Sequence, residues 1–127
     1  MAYHLVGLDL GGTKIATALT DTDSRILKYE TVPVDPEAGP EAIVAEMVTA
    51  IKRVTADVRK PLVLGVGCAM AGMIAPGTGR VLYSPNLNWR DVPLRDMLAE
   101  QLPWPVFVAN DTAMAALGEL HYGAAKG

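Results

Sequence analysis

The stretch Tyr3-His4-Leu5-Val6-Gly7-Leu8-Asp9-Leu10-Gly11-Gly12-Thr13-Lys14 constrains the fold of this chain more than any other. Tyr3 to Leu10 is mostly apolar, the composition of a buried strand, and one carboxylate, Asp9, interrupts it near its C-terminal end. A charge in a buried strand is costly unless it is paired or bound to a metal. Gly11-Gly12 predicts a sharp turn, because residues without Cβ reach positive φ without a clash. Thr13, Lys14 and the run Ile15-Ala16-Thr17-Ala18-Leu19 open a second strand. Backbone amides, a hydroxyl and an ammonium group thus gather beside a carboxylate. Amides and a cation suit polyphosphate oxygens, and a carboxylate suits hydrated Mg²⁺. The bland alternative is an ordinary Gly-Gly hairpin with a surface lysine. A dinucleotide fingerprint or a P-loop is excluded, since neither glycine pattern is present and a strand rather than a helix follows.

Farther along, Asp21-Thr22-Asp23-Ser24 predicts a second turn, and Arg25 to Val34 a third antiparallel strand. Pro40 suits the first position of a helix and Glu41 its positive end. Ile43, Met47, Ile51, Val54 and Val58 recur every three or four residues, so the helix from Glu41 to Val58 lays one apolar stripe on the sheet. Leu62 to Met70 is nearly continuously apolar, as a parallel strand buried on both faces is. The small-residue loop Ala71 to Gly79 follows its carboxyl end, where ligands of open α/β sheets gather; composition alone fits a flexible connector equally well. Arg80 to Tyr83 reads as a short strand and Ser84 to Trp89 as an irregular loop. Pro93 opens a helix with Leu94, Met97, Leu98 and Leu102 on its buried face, and Val106 to Ala109 is a fifth strand closed by Asn110-Asp111. Ala113 to Leu117 begins a last helix, for which Asn110 or Asp111 also reads simply as an N-cap. His121, near the end of that helix, suits its negative pole better than a ligand role. The pattern is α/β: a five-stranded mixed sheet, three strands antiparallel and two parallel, with helices packed on it.

The chain has 127 residues, half of them hydrophobic, and a net charge of -3 with no basic run, which argues against a nucleic-acid partner. No apolar stretch reaches the length of a membrane span and no charged-then-apolar leader precedes the first strand, so the expected compartment is the cytoplasm. The single Cys68 cannot form an internal disulfide and, in its apolar run, reads as a small core residue. No His/Cys/Asp cluster has metal-ligand spacing.

The string Asp9-Leu10-Gly11-Gly12-Thr13-Lys14 resembles the first phosphate motif of the sugar kinase, actin and Hsp70 superfamily, and most closely that of the ROK family (repressors, open reading frames and kinases). The resemblance runs on through Gly65-x-Gly67 with Gly72, Gly79-Arg80-Val81, Ser84-Pro85-Asn86-Leu87-x-Trp89-x-x-Val92-x-Leu94, Pro105-Val106, Asn110-Asp111 and Ala115-Ala116-Leu117-Gly118-Glu119. It implies a ribonuclease-H-like (actin-like ATPase) lobe over residues 1–127, the N-terminal lobe of a longer protein whose C-terminal lobe lies beyond Gly127. It further implies a glucokinase-like activity for the full-length protein, ATP-dependent phosphorylation of a hexose. In that reading Asp111 is the general base, Asn110 hydrogen-bonds the sugar, and Gly72 and Asn86 shape the sugar pocket. Asp9, Gly11, Gly12, Thr13 and Lys14 face the ATP phosphates and Mg²⁺, with Asp9 reaching the metal through water. The implied cofactors are ATP and Mg²⁺, and any structural Zn²⁺ belongs to the C-terminal lobe. The implied partners are the hexose and, for the full-length protein, a second copy of itself; no nucleic acid or membrane is implied.

Departures from the family pattern at Ala69, Ala71, Met73 and Thr112-Ala113 bear on which sugar is used. A sugar-sensing ROK repressor is the alternative, as is a sugar-binding module without catalysis. Only Met1-Ala2 precede the first strand, so no helix-turn-helix domain is expected before the lobe. The lobe by itself is expected to fold but not to turn over, because its cleft has one wall.

Overall fold

The computed structural model describes residues 2–110. Its elements in chain order are β1 (His4–Leu10), β2 (Lys14–Asp21), β3 (Ile26–Pro33), α1 (Pro40–Val54), a 3-10 turn (Lys60–Leu62), β4 (Val63–Met70), β5 (Met73–Ala75), β6 (Arg80–Ser84), β7 (Trp89–Val92), α2 (Leu94–Ala99) and β8 (Val106–Asn110). The main sheet has five strands in the order β3-β2-β1-β4-β8. β1, β2 and β3 pair antiparallel, while β4 runs parallel to both β1 and β8. This is the mixed sheet expected from the pattern of strands. Asp111, the helix starting at Ala113 and His121 lie outside the described residues.

The core forms on one face of the sheet. Val6, Leu8 and Leu10 of β1, Ile15 and Leu19 of β2, and Val66, Cys68 and Met70 of β4 are buried there. The α1 stripe Ile43, Met47, Ile51 and Val54 packs onto them, and Leu94 and Leu98 of α2 join the same cluster. Removing these side chains from water is the main favourable term holding helices to sheet. α1 stops at Val54, earlier than the apolar spacing suggests. The carbonyl of Ile51 accepts from both the backbone N–H and the hydroxyl of Thr55. A short turn follows, in which the N–H of Val58 donates to the carbonyl of Thr55, so Val58 still packs against the core outside the helix.

Three expectations need correction. First, β4, expected to be buried on both faces, has one face exposed among the described residues, as does β1. In β1 burial alternates, with Gly7 and Asp9 exposed, and in β4 Leu64 is 48% exposed. Asp9 therefore meets no burial penalty among the described residues. Second, α2 is only 6 residues long, and Leu102 reaches the core from the segment after it. Third, residues 71–92 are more ordered than a loop with one short strand. They build a second, three-stranded antiparallel sheet, β5-β6-β7. Its turns use Gly77 (φ 79) and Gly79 (φ 67), then Asn88 (φ 53), and Asp91 within β7 also has a positive φ of 54. These are residue types that enter the left-handed region at least cost.

Candidate functional site

The parallel pairing of β1, β4 and β8 brings three strand ends to one edge of the main sheet. Asp9 aligns with Ala69, and Ala69 with Ala109; one step on, Leu10 aligns with Met70 and Met70 with Asn110. The strands that carry Asp9 and Asn110 are thus two strand spacings apart, about 10 Å. The Asp9 side is flanked by Ala16 on β2 and Ala69 on β4, both too short to crowd its carboxylate. It opens onto an apolar trough of about 940 Å³ among the described residues that runs from Leu5 and Leu64 past Gly7 and Gly67. Asn110 is half-buried at the end of β8.

The glycine turn is tight. The N–H of Gly11 donates to the carbonyl of Lys14 at 3.0 Å, closing a loop over Gly12 and Thr13, and the carbonyl of Thr13 accepts from Val34 at 2.9 Å. Neither Gly11 nor Gly12 takes a positive φ, so the stereochemical reason given for them by the sequence is corrected. Space is the reason at Gly12: a Cβ there would lie 3.2 Å from Cβ of Asn86. The two segments read from the sequence as phosphate turn and sugar loop are therefore packed against each other. Thr13 and Lys14 are exposed at the same rim.

Gly72 joins β4 to β5 with φ 144, and a Cβ on it would sit 2.5 Å from the carbonyl oxygen of Tyr83. Only glycine fits. The contact fixes Gly72 against Tyr83 and Ser84, two residues ahead of Asn86. Sequence reading placed Gly72 and Asn86 near one site but missed that β6 connects them. The available signal was the pair of glycines at 77 and 79, which mark a hairpin turn. Also unforeseen is the stack across the small sheet, where the Arg90 guanidinium lies 4.7 Å over the Tyr83 ring.

No group of three or more potential metal-ligating side chains occurs among the described residues. One exposed carboxylate, Asp9, beside a turn open to phosphate oxygens fits Mg²⁺, which keeps several waters and needs few protein ligands. No helix among the described residues is long and apolar enough to cross a membrane.

Comparison with known proteins is consistent with this geometry. Residues 5–127 match the ROK family. A glucokinase of Halalkalibacterium halodurans is 36% identical over 124 residues, covering 96% of this chain and 38% of that protein. The xylose repressor of Bacillus subtilis is 30% identical over 128 residues, covering 98% of this chain and 33% of the repressor. Among solved structures, the ROK family glucokinase of Streptomyces griseus in complex with glucose and AMPPNP superposes with a TM-score of 0.84 at 36% identity, covering 98% of this chain and 38% of that one. The chain thus spans little more than a third of the length of these relatives.

Proposed function

The chain belongs to the ROK family, and from that premise we propose that the full-length protein transfers the γ-phosphoryl group of ATP to a hexose hydroxyl, with this chain as its N-terminal lobe. The observation that carries the proposal is the shared edge of β1, β4 and β8, where Asp9 and Asn110 lie in adjacent rows and the Gly12 turn packs on Asn86.

A sugar hydroxyl is a weak nucleophile at neutral pH. Asp111, next in the chain after Asn110, is assigned the proton: its carboxylate accepts the hydroxyl hydrogen as the oxygen attacks phosphorus. Asn110 holds a neighbouring sugar hydroxyl, and Gly72 and Asn86 line the pocket wall. At the other end, the Gly11 N–H closes the turn onto the Lys14 carbonyl, and the Gly12 amide, the Thr13 hydroxyl and the Lys14 ammonium bind phosphate oxygens and keep the transferred group in line. Asp9 would hold Mg²⁺, which would supply neutralisation of the phosphate charge. The glucokinase relatives and the glucose and AMPPNP complex of the Streptomyces protein support ATP and a hexose as the substrates. The homodimer implied by the family resemblance remains part of the proposal.

The repressor relative supports a second reading, a sugar-responsive regulator. One experiment separates them. The full-length protein is titrated calorimetrically with a panel of hexoses and assayed with ATP, Mg²⁺ and the same sugars for ADP release. The kinase reading predicts turnover of roughly 1–100 per second with at least one hexose. Sugar binding with no ADP release contradicts it and supports the regulator.

A further inference from the structure

We infer that Arg95, which no motif of the sequence marks, is a positioning residue for the candidate site and acts through the tip of the β5–β6 hairpin. The inference rests on reading Gly72 and Asn86 as parts of a sugar pocket. Arg95 is the second residue of α2, and the helix is fixed to the core by its neighbours Leu94 and Leu98. From that fixed point Arg95 grips the hairpin turn in three ways. Its Nη1 donates to the carbonyl of Gly77 at 2.8 Å. Its backbone N–H donates to the carbonyl of Gly79 at 3.2 Å. Its aliphatic stem fills the space a side chain at residue 79 would need, with Arg95 Cβ 2.5 Å from the position of a Cβ on Gly79. Gly79 is therefore required twice, for its φ of 67 and for the arginine that lies over it.

The grip is transmitted to the site by short, stiff links. β6 runs from this turn to Ser84, and Asn86, two residues on, packs on Gly12. At the other end of the hairpin Gly72 is wedged against Tyr83. Arg80 pairs with Asp91 at 2.6 Å and ties β6 to β7. Val81 and Val92 remain buried in the core and keep the small sheet attached without Arg95. Loss of the arginine should thus shift the hairpin rather than unfold it, and small displacements of a pocket wall are costly to substrate binding.

The test uses the full-length protein with Arg95→Ala, Arg95→Lys and Arg95→Met, read by hexose kinetics and by hydrogen exchange. The inference predicts that Arg95→Ala raises the hexose KM by about fivefold or more while kcat stays within about twofold. Arg95→Lys, which keeps the stem and one donor toward Gly77, restores most of the KM. Exchange quickens in β5 and β6 and stays unchanged in β1 and β4. If Arg95→Ala does not fold, Arg95→Met, which keeps the stem against Gly79 and loses only the guanidinium, carries the same test. An unaltered KM, a loss confined to kcat, or exchange that is unchanged or raised throughout the sheet overturns the positioning role. Should the wild type phosphorylate no hexose, the kinase reading fails by itself. The exchange pattern then decides the grip of Arg95 alone: confined to the hairpin it supports the inference, and otherwise it overturns it.

Discussion

Gly72 shows how much one residue decides. Its φ of 144 and the 2.5 Å separation between a Cβ position and the Tyr83 carbonyl leave no room for any side chain. Backbone, not a flexible side chain, is what a methyl group would strike, so the neighbour cannot move aside cheaply. Gly72→Ala should destabilise the protein by about 2 kcal/mol or more, a fall in melting temperature of roughly 6–10 °C for a domain of this size. Thermal unfolding of the variant beside the wild type checks this, and a melting temperature within about 2 °C of the wild type contradicts it. The sequence marked Gly72 through a family resemblance and a small-residue loop, while the reason for it, contact with a strand eleven residues on, depends on tertiary packing. Gly12 is similar. Its turn was legible, but the tight Asn86 contact that crowds a side chain there was not, and the positive φ expected of the turn glycines is absent.

Elements were legible where their periodicity was long and failed where it was short. α1 declared itself by a stripe repeated over four turns, and β4 by an unbroken apolar run. β5 has three residues and β7 four, too few for alternation to register, so only the β6 strand of the small sheet was read beforehand. The exposed faces of β1 and β4 were missed for a related reason: an apolar composition does not say whether one face or two are covered. Elements are also joined at the surface by charges. Lys28 of β3 donates to Asp57, just beyond α1, at 2.8 Å. That hydrogen bond, and then the lysine charge, hold the Asp57 carboxyl below its ordinary value of 3.8. A carboxyl depressed in the folded state contributes stability above its unfolded pKa, and the contribution disappears as pH falls through the folded value. The pair is exposed, so the effect is small. Lys28→Met should let the Asp57 titration midpoint rise, as NMR of its side-chain carboxyl would record. The melting difference between variant and wild type, present near about pH 6, should begin to shrink near about pH 4 and close as pH falls through the depressed Asp57 value. An unchanged Asp57 midpoint contradicts the assigned cause.

At the scale of the whole molecule, one sheet edge collects the residues that the sequence scatters over a hundred positions. Asp9 lies on β1 and Asn110 on β8, and the order β3-β2-β1-β4-β8 brings their strand ends to one edge with only β4 between them. That convergence was readable in outline, since parallel strands in a doubly connected sheet present their carboxyl ends together. The described residues carry the phosphate turn, the pocket loop and the sugar-binding asparagine of the proposed kinase, and they end one residue before the proposed base. The central claim is that this edge performs phosphoryl transfer with Asp111 as the proton acceptor. Its most direct test is the full-length protein with Asp111→Asn, compared with wild type for ADP release with ATP, Mg²⁺ and the preferred hexose, and for hexose binding by calorimetry. The account predicts that turnover falls by about 100-fold or more while hexose affinity stays within about threefold. Turnover close to wild type in the variant would contradict it.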